Sequence, residues 1–254
     1  MASLALIGRN ISYSQSPKIY NELAEKSGIN LNYNVFDIQS IKEVVHIINT
    51  HSDLIGFNVT IPYKTEIIEI LDSISDDVRE INAVNCVLID KNKKLSGYNT
   101  DWKAFRDTFV NIKKDFHNKA IILGSGGAAK AVAYALKSLN IDYLVVVRDV
   151  NKIASDKMIS YDDVKNLDYS EYNIIINATP CGTLGTNFDL KDLFPFDLIK
   201  ENSLMYDLVY EPIITPFIQE GIKRNCFVKN GLDMLRLQAE YAWEIFLPQI
   251  NLRH

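Results

Sequence analysis

Residues 119–149 read KAIILGSGGAAKAVAYALKSLNIDYLVVVRD, and no other stretch narrows the fold as much. A short apolar run, Ala120 to Leu123, passes straight into Gly124-Ser125-Gly126-Gly127-Ala128-Ala129. That turn opens an alanine-rich helix with Val132, Leu136 and Leu139 on one face, and a second apolar run ends at Val147. Continuous apolar runs on either side of a 3.6-period helix mark a βαβ unit with buried parallel strands. The turn fits G-x-G-x-x-A: Gly124 permits the tight turn, Gly126 lets backbone approach a pyrophosphate, and small Ala129 allows close helix–strand packing. The helix N-terminus then faces the anion. A tight βα turn without a ligand would use the same glycines. The register of strand, turn, helix and strand favours a dinucleotide site over Gly124, Ser125, Gly126, Gly127 and Ala128.

The end of the second strand chooses the dinucleotide. An acid there holds the ribose hydroxyls of NAD, whereas an arginine meets the 2′-phosphate of NADP. Here Arg148 is followed by Asp149, with Lys152 three further on. Two cations against one carboxylate favour NADP. Asp149 keeps NAD open, and a solvated loop would also use these residues.

The rest of the chain alternates in the same way. Leu4 to Ile7, Tyr33 to Phe36, Leu54 to Val59, Tyr172 to Ile176, Leu204 to Tyr206 and Cys226 to Lys229 read as strands. Pro17 to Ser27 reads as a helix with Ser16 as N-cap and Gly28 at its end. Ile41, Val44, Val45 and Ile48 form a stripe capped by Ser40, and Ile67, Ile68, Ile70 and Leu71 suggest a helix begun by Pro62. Ala83 to Ile89 and Leu95 to Tyr98 flank a charged turn, as a hairpin does. Thr215 to Arg224 and Leu232 to Phe246 are helical. The expected fold is α/β with two domains: a Rossmann-like doubly wound nucleotide domain, and an α/β substrate domain with a mainly parallel sheet. The texture changes near residue 100, with helix Asp101 to Ile112 as the bridge.

Composition excludes several classes. The net charge of −5 supplies no basic field for nucleic acid or an anionic membrane. Three widely spaced cysteines (Cys86, Cys181, Cys226) without a C-x-x-C argue against a disulfide framework and for a reducing cytoplasm. His46, His51, His117 and His254 have no metal-ligand spacing. No apolar run approaches the ~18 residues of a spanning helix, and MASLALIGRN is too short for a signal peptide.

Four segments of the first hundred residues put polar groups at the ends of apolar strands: SYSQSP (12–17), NVTIPYK (58–64), NAVN (82–85) and GYNTD (97–101). Ligands of open α/β sheets bind beyond the carboxyl ends of strands, so these loops suit one pocket of hydroxyls and amides with one lysine and one aspartate. That chemistry fits a small polyhydroxylated carboxylate. Each member also has a structural reading. Ser16 is an N-cap, Asp101 caps the helix of Trp102, Phe105 and Phe109, and Asn58 and Thr60 are edge-strand polar residues. Ser14 lacks such a role. Gln238 sits on the apolar face of its helix, where a buried amide needs a partner.

Lys64 falls in the first turn of the helix that Pro62 is expected to begin, an end where the macrodipole opposes a cation. If Asp101 lies nearby, its carboxylate acts in the opposite sense, and the two can pass a proton to or from a substrate oxygen. Spacing alone accommodates an exposed surface lysine equally well.

The chain resembles the shikimate dehydrogenase family, in register over nearly its whole length. The resemblance rests on SQSPKIYN, GFNVTIPYK, INAVNCV, GYNTD, LGSGGAAKAV, NATPCG, DLVYEPIITPF and NGLDMLRLQA. It implies NADPH-dependent reduction of 3-dehydroshikimate to shikimate, with no metal. Lys64 and Asp101 would be the catalytic pair, and Ser14 and Ser16 would hold the substrate carboxylate. Thr60, Asn85 and Gln238 would hold ring hydroxyls, with Asn58 and Tyr210 lining the site. Gly124 to Ala128 would cradle the pyrophosphate, Arg148 would meet the 2′-phosphate, Asn177, Ala178 and Thr179 would run along the cofactor, and Leu208 and Gly231 would lie near the nicotinamide. The final helix of the family returns to the first domain. The implied division is therefore 1–100 with 232–254 for substrate, and 101–231 for NADP.

Four positions depart from the family pattern. Tyr13 replaces a frequent His, Trp102 a usual Gly, where its bulk is expected to narrow the cleft, Asp233 a usual Gly, and Asp149 a common Thr. A quinate/shikimate dehydrogenase using NAD or NADP, a non-catalytic NADP-binding regulatory module, and a methylenetetrahydrofolate-type dehydrogenase are the alternatives. The expected partners are small molecules, with no nucleic acid or membrane, for a cytoplasmic monomer or homodimer.

Overall fold

The computed structural model describes residues 2–183 and 190–252. The chain is α/β and forms two compact units, Met1–Asp101 with Arg236–His254, and Trp102–Leu235.

The first unit comprises β1 (Ser3–Gly8), α1 (Ser16–Lys26), β2 (Asn32–Asp37), α2 (Glu43–Thr50), β3 (Leu54–Val59), β4 (Ser73–Ile74), α3 (Asp76–Ile81), β5 (Cys86–Ile89) and β6 (Leu95–Tyr98). Its sheet runs in the order β2-β1-β3-β5-β6-β4. β1 is parallel to β2 and β3, whereas β5 is antiparallel to β3 and β6. β1 and β3 are buried along their whole length, which is why they read as unbroken apolar runs.

Local chemistry departs from expectation at three points. Ser16 is the first residue of α1 rather than its cap. The loop before it folds back (Ser14 N to Ile11 O, 3.0 Å), so the hydroxyl of Ser14 accepts from Ser16 N at 3.2 Å. The other end closes as a Schellman turn, with Gly28 at φ +65° and Ile29 N bonded to Ala24 O. The residues after Pro62 form no α-helix. Only a 3-10 turn, Glu66–Ile70, follows, a short run with crowded β-branched side chains. β5 starts at Cys86, after a left-handed Asn82 (φ +53°), although the Asn85 backbone still bonds to Tyr98 O and Val59 N. The hairpin turn is tied by Asp90, whose carboxylate accepts from Asn92 N and Lys94 N.

α4 (Asp101–Val110) leads into the second unit, with β7 (Ala120–Leu123), α5 (Gly127–Ser138), β8 (Tyr143–Val147), β9 (Met158–Ser160), β10 (Ile174–Asn177), β11 (Leu204–Asp207), α6 (Pro216–Lys223) and β12 (Phe227–Lys229). All six strands are parallel, in the order β12-β11-β10-β7-β8-β9. This is the doubly wound arrangement, and its order reverses between β7 and β10. α7 (Leu232–Asn251) starts here and carries the chain back to the first unit. There, Gly56 of β3 leaves room for its Phe246: a Cβ at Gly56 would stand 2.5 Å from the ring.

No helix among the described residues is long and apolar enough to cross a membrane. His254 lies outside the described residues. Cys86, Cys181 and Cys226 form no disulfide among the described residues.

Candidate functional site

In the first unit a polar network gathers at the ends of β3, β5 and β6. Lys64 Nζ donates to Asp101 Oδ2 at 2.7 Å, with the two side chains 16% and 7% exposed. Asn85 Nδ2 reaches Asp101 Oδ1 (2.8 Å), Thr100 Oγ1 (2.9 Å) and Gln238 Oε1 (3.3 Å). Two amide hydrogens thus serve three acceptors. In return, Thr100 N donates to Asn85 Oδ1 at 2.8 Å and Thr100 Oγ1 to the carbonyl of Gln238 at 3.0 Å. Both oxygens of Asp101 are engaged, which fixes its plane and aims the ammonium. The backbone of Lys64 is pinned as well, its carbonyl accepting from Val84 N at 2.7 Å. Lys64 occupies a turn, so the helix macrodipole expected to oppose it has no α-helix behind it.

Asn58 is buried in an interior strand, between β1 and β5, and is no edge residue. Its Oδ1 accepts from Tyr33 Oη at 3.0 Å and its Nδ2 donates to Asn85 O at 3.3 Å. Thr60 follows β3, half-buried, with its N–H on Ile7 O. Ser14 Oγ donates to Ser16 Oγ at 3.1 Å.

The second unit carries the glycine turn. Gly124 has φ +100°, and a Cβ on it would stand 2.9 Å from the Thr179 methyl, so turn and 177–179 loop touch. α5 begins at Gly127 with no side chain capping its N-terminus, leaving first-turn N–H groups of Gly127 and Ala128 directed outward. No atom lies within 4 Å of a Cβ built on Gly126. Arg148, Asp149 and Lys152 are exposed just past β8. Asp149 Oδ1 accepts from Asn151 N (3.1 Å) and Asn151 Nδ2 (3.0 Å), which ties that oxygen to its own turn.

Asn177 holds the adjoining loop. Its Oδ1 accepts from Thr179 N and Thr179 Oγ1, and its Nδ2 donates to Cys181 O and Asp207 Oδ1. Gly231 lies flat against Leu208: a Cβ would stand 2.1 Å from the Leu208 oxygen. Tyr210 is half-buried in this same unit. Asp233 pairs with Lys229. Trp102 packs edge-on against Tyr134 of α5 at 5.0 Å, with Arg106 over its ring.

Sequence reasoning passed over Thr100, Tyr33 and Asp207. Thr100 stood inside the quoted GYNTD. Tyr33 looked like ordinary strand aromatic. Asp207 is fully buried at the end of β11 and accepts from Asn177 Nδ2 (2.9 Å), Val209 N (3.0 Å) and Thr215 Oγ1 (2.5 Å). Burial pushes its carboxyl up to about 7, against those three hydrogen bonds. An acid closing the apolar run Leu204 to Tyr206 was the available signal. Among the described residues, no group of three or more His, Cys, Asp and Glu could hold a metal ion.

Residues 6–87 match the shikimate dehydrogenase substrate binding domain. A shikimate dehydrogenase (NADP(+)) of Caldicellulosiruptor saccharolyticus is 36% identical over 270 aligned positions, covering 99% of this chain and 94% of that one. A crystal structure of shikimate dehydrogenase 1 from Peptoclostridium difficile superposes with a TM-score of 0.85 at 30% identity, covering 98% of this chain and 92% of that one. A shikimate 5-dehydrogenase of Thermus thermophilus, solved with NADP(H) and shikimate, gives 0.82 at 26% identity over 98% and 94% of the two chains. The chain belongs to the shikimate dehydrogenase family.

Proposed function

We propose that the protein catalyses the reversible NADPH-dependent reduction of 3-dehydroshikimate to shikimate, a step of aromatic amino acid (chorismate) biosynthesis, as a cytoplasmic monomer or homodimer. The observation that carries this reading is the Lys64–Asp101 pair, held by Asn85 beside Gln238 in a chain of this family. The first unit, 1–100 with 232–254 in our division, takes the substrate, and residues 101–231 take the cofactor.

NADPH, when bound, supplies the hydride. The protein's residues handle everything else. Lys64 gives a proton to the ketone oxygen in reduction and takes it from the hydroxyl in reverse, while Asp101 holds the ammonium in line. Ser14 and Ser16 hold the substrate carboxylate, and Thr60, Asn85 and Gln238 the ring hydroxyls. Asn58 and Tyr210 complete the lining. In the second unit Gly124, Ser125, Gly126, Gly127 and Ala128 meet the pyrophosphate, and Arg148 with Lys152 the 2′-phosphate. Asn177, Ala178 and Thr179 run along the cofactor toward Leu208 and Gly231.

The test is an initial-rate assay at the absorbance of NADPH, crossing shikimate and quinate with NADP and NAD. Turnover is expected with shikimate and NADP. Comparable quinate activity would overturn the substrate assignment, and no turnover with any pair would leave a binding module.

A further inference from the structure

Beneath the residues assigned to the substrate lies a side chain that none of those assignments includes. We propose that Tyr33 is a positioning residue: its phenol sets Asn58 in place for the substrate. The inference rests on the dehydrogenase reading above and deepens it.

Tyr33 stands on β2, and its hydroxyl sits between two elements that share no backbone pairing. On one side it donates to Asn58 Oδ1 of β3 at 3.0 Å. On the other side it comes near Ser16, the first residue of α1. Ser14 Oγ in turn donates to Ser16 Oγ. The Tyr33 phenol is thus a buried donor whose bond ends on the Asn58 carbonyl oxygen. That terminus fixes which way the Asn58 amide faces, since its Nδ2 is then left for Asn85 O. A phenylalanine at 33 would leave the Asn58 oxygen without its buried donor.

The ring itself is immobilised. It stacks on Tyr20 with centroids 4.4 Å apart and planes 16° apart, and Tyr20 is walled by Trp243 and Phe246 of α7. The stack supplies a control within the same site. Tyr20 is equally aromatic and also buried, and its hydroxyl comes near the Asn58 side chain, yet it makes no hydrogen bond of proper length and angle among the described residues. One phenol oxygen is wired to the site, and its neighbour only approaches it.

The experiment compares Tyr33→Phe with Tyr20→Phe in the full chain, measuring kcat, KM for shikimate, KM for NADP and Tm. For Tyr33→Phe, KM for shikimate rises about five- to tenfold, the loss expected for one neutral hydrogen bond. Its KM for NADP stays within about twofold, because all the cofactor groups lie in the other unit. Tyr20→Phe leaves all three constants within about twofold. Equal shifts in both variants would assign the effect to the aromatic stack and overturn the proposal. So would an unmoved shikimate KM in Tyr33→Phe, or a parallel rise in KM for NADP. Wild-type turnover in the same assay separates the two failures. Its absence defeats the enzyme reading, whereas normal wild-type turnover with an unmoved Tyr33→Phe defeats only the role of Tyr33.

Discussion

Lys64 Nζ lies 2.7 Å from Asp101 Oδ2, across a separation of 37 residues. Asp101 is held by Asn85 through its other oxygen, so the ammonium is aimed by a carboxylate that is itself anchored. Replacing Lys64 by Ala is expected to lower kcat by on the order of a hundredfold or more, the usual weight of a proton-transfer group. KM for shikimate should move far less. Steady-state kinetics check this, and an unchanged kcat would remove Lys64 from the chemistry.

Asn85 is a buried hub whose side chain bonds to Thr100, Asp101 and Gln238. Asn85→Ala leaves the Thr100 N–H and one Asp101 oxygen without these partners. Each orphaned buried group costs about 1–3 kcal/mol, so urea denaturation should report a loss of at least that size. Because Asp101 loses its anchor, kcat should fall along with stability.

Gly231 leaves no room for a methyl group, since the obstacle 2.1 Å away is the backbone oxygen of Leu208 rather than a side chain that can swing aside. Gly231→Ala must therefore displace one strand end or the other. The expected outcome is a destabilisation of about 1–3 kcal/mol from overpacking, with NADP affinity reduced about tenfold and shikimate affinity retained. Calorimetric titration with each ligand distinguishes this from general unfolding.

Asp207 predicts a pH dependence with a definite sign. Its carboxyl is pushed up to about 7 in the folded chain, against an ordinary value of about 3.9. Between those values the folded state keeps a proton that the unfolded state has lost, so stability falls as pH rises. From pH 5 to 7.5 this group's share of the decline is on the order of 2–3 kcal/mol, at 1.36 kcal/mol per unit. Asp207→Asn should show a correspondingly flatter profile in chemical denaturation at a series of pH values. Parallel profiles for the two proteins would refute the assignment.

Arg148 and Asp149 are adjacent, and Asp149 caps the Val150–Lys152 turn that follows it. Arg148→Ala should raise KM for NADP about ten- to a hundredfold, as lost charge-assisted bonds do, and leave KM for NAD nearly unchanged. Asp149→Ala should alter neither constant by more than about threefold. A large gain in NADP affinity from Asp149→Ala would show that the carboxylate does face the phosphate.

Much of the architecture was legible because periodicity and punctuation agree along this chain. Gly124 carries a left-handed φ, and the apolar runs around it are the central strands. What stayed hidden was set by tertiary partners or by very short elements. The three residues of β9 give no periodic signal. Apolar spacing at Ile67, Ile68, Ile70 and Leu71 looked helical, but the run is too brief to sustain more than a 3-10 turn. In the site, Lys64 and Asp101 were named as a pair from their chemistry. The bond of Asn85 to Gln238 spans 153 residues and has no local signature. Tyr33 was invisible for a similar reason: its burial is ordinary, and only the fold reveals that its oxygen meets Asn58.

The passage of α7 back to the sheet, where Phe246 fills the space left by Gly56, has a consequence for biosynthesis. Chains emerge from the ribosome amino end first, at about 5–20 residues per second. The segment 102–235 is therefore translated in full while the unit preceding it still lacks residues 236–254. The unit begun first matures after the one behind it has been made, waiting with an uncovered apolar face for a helix translated later.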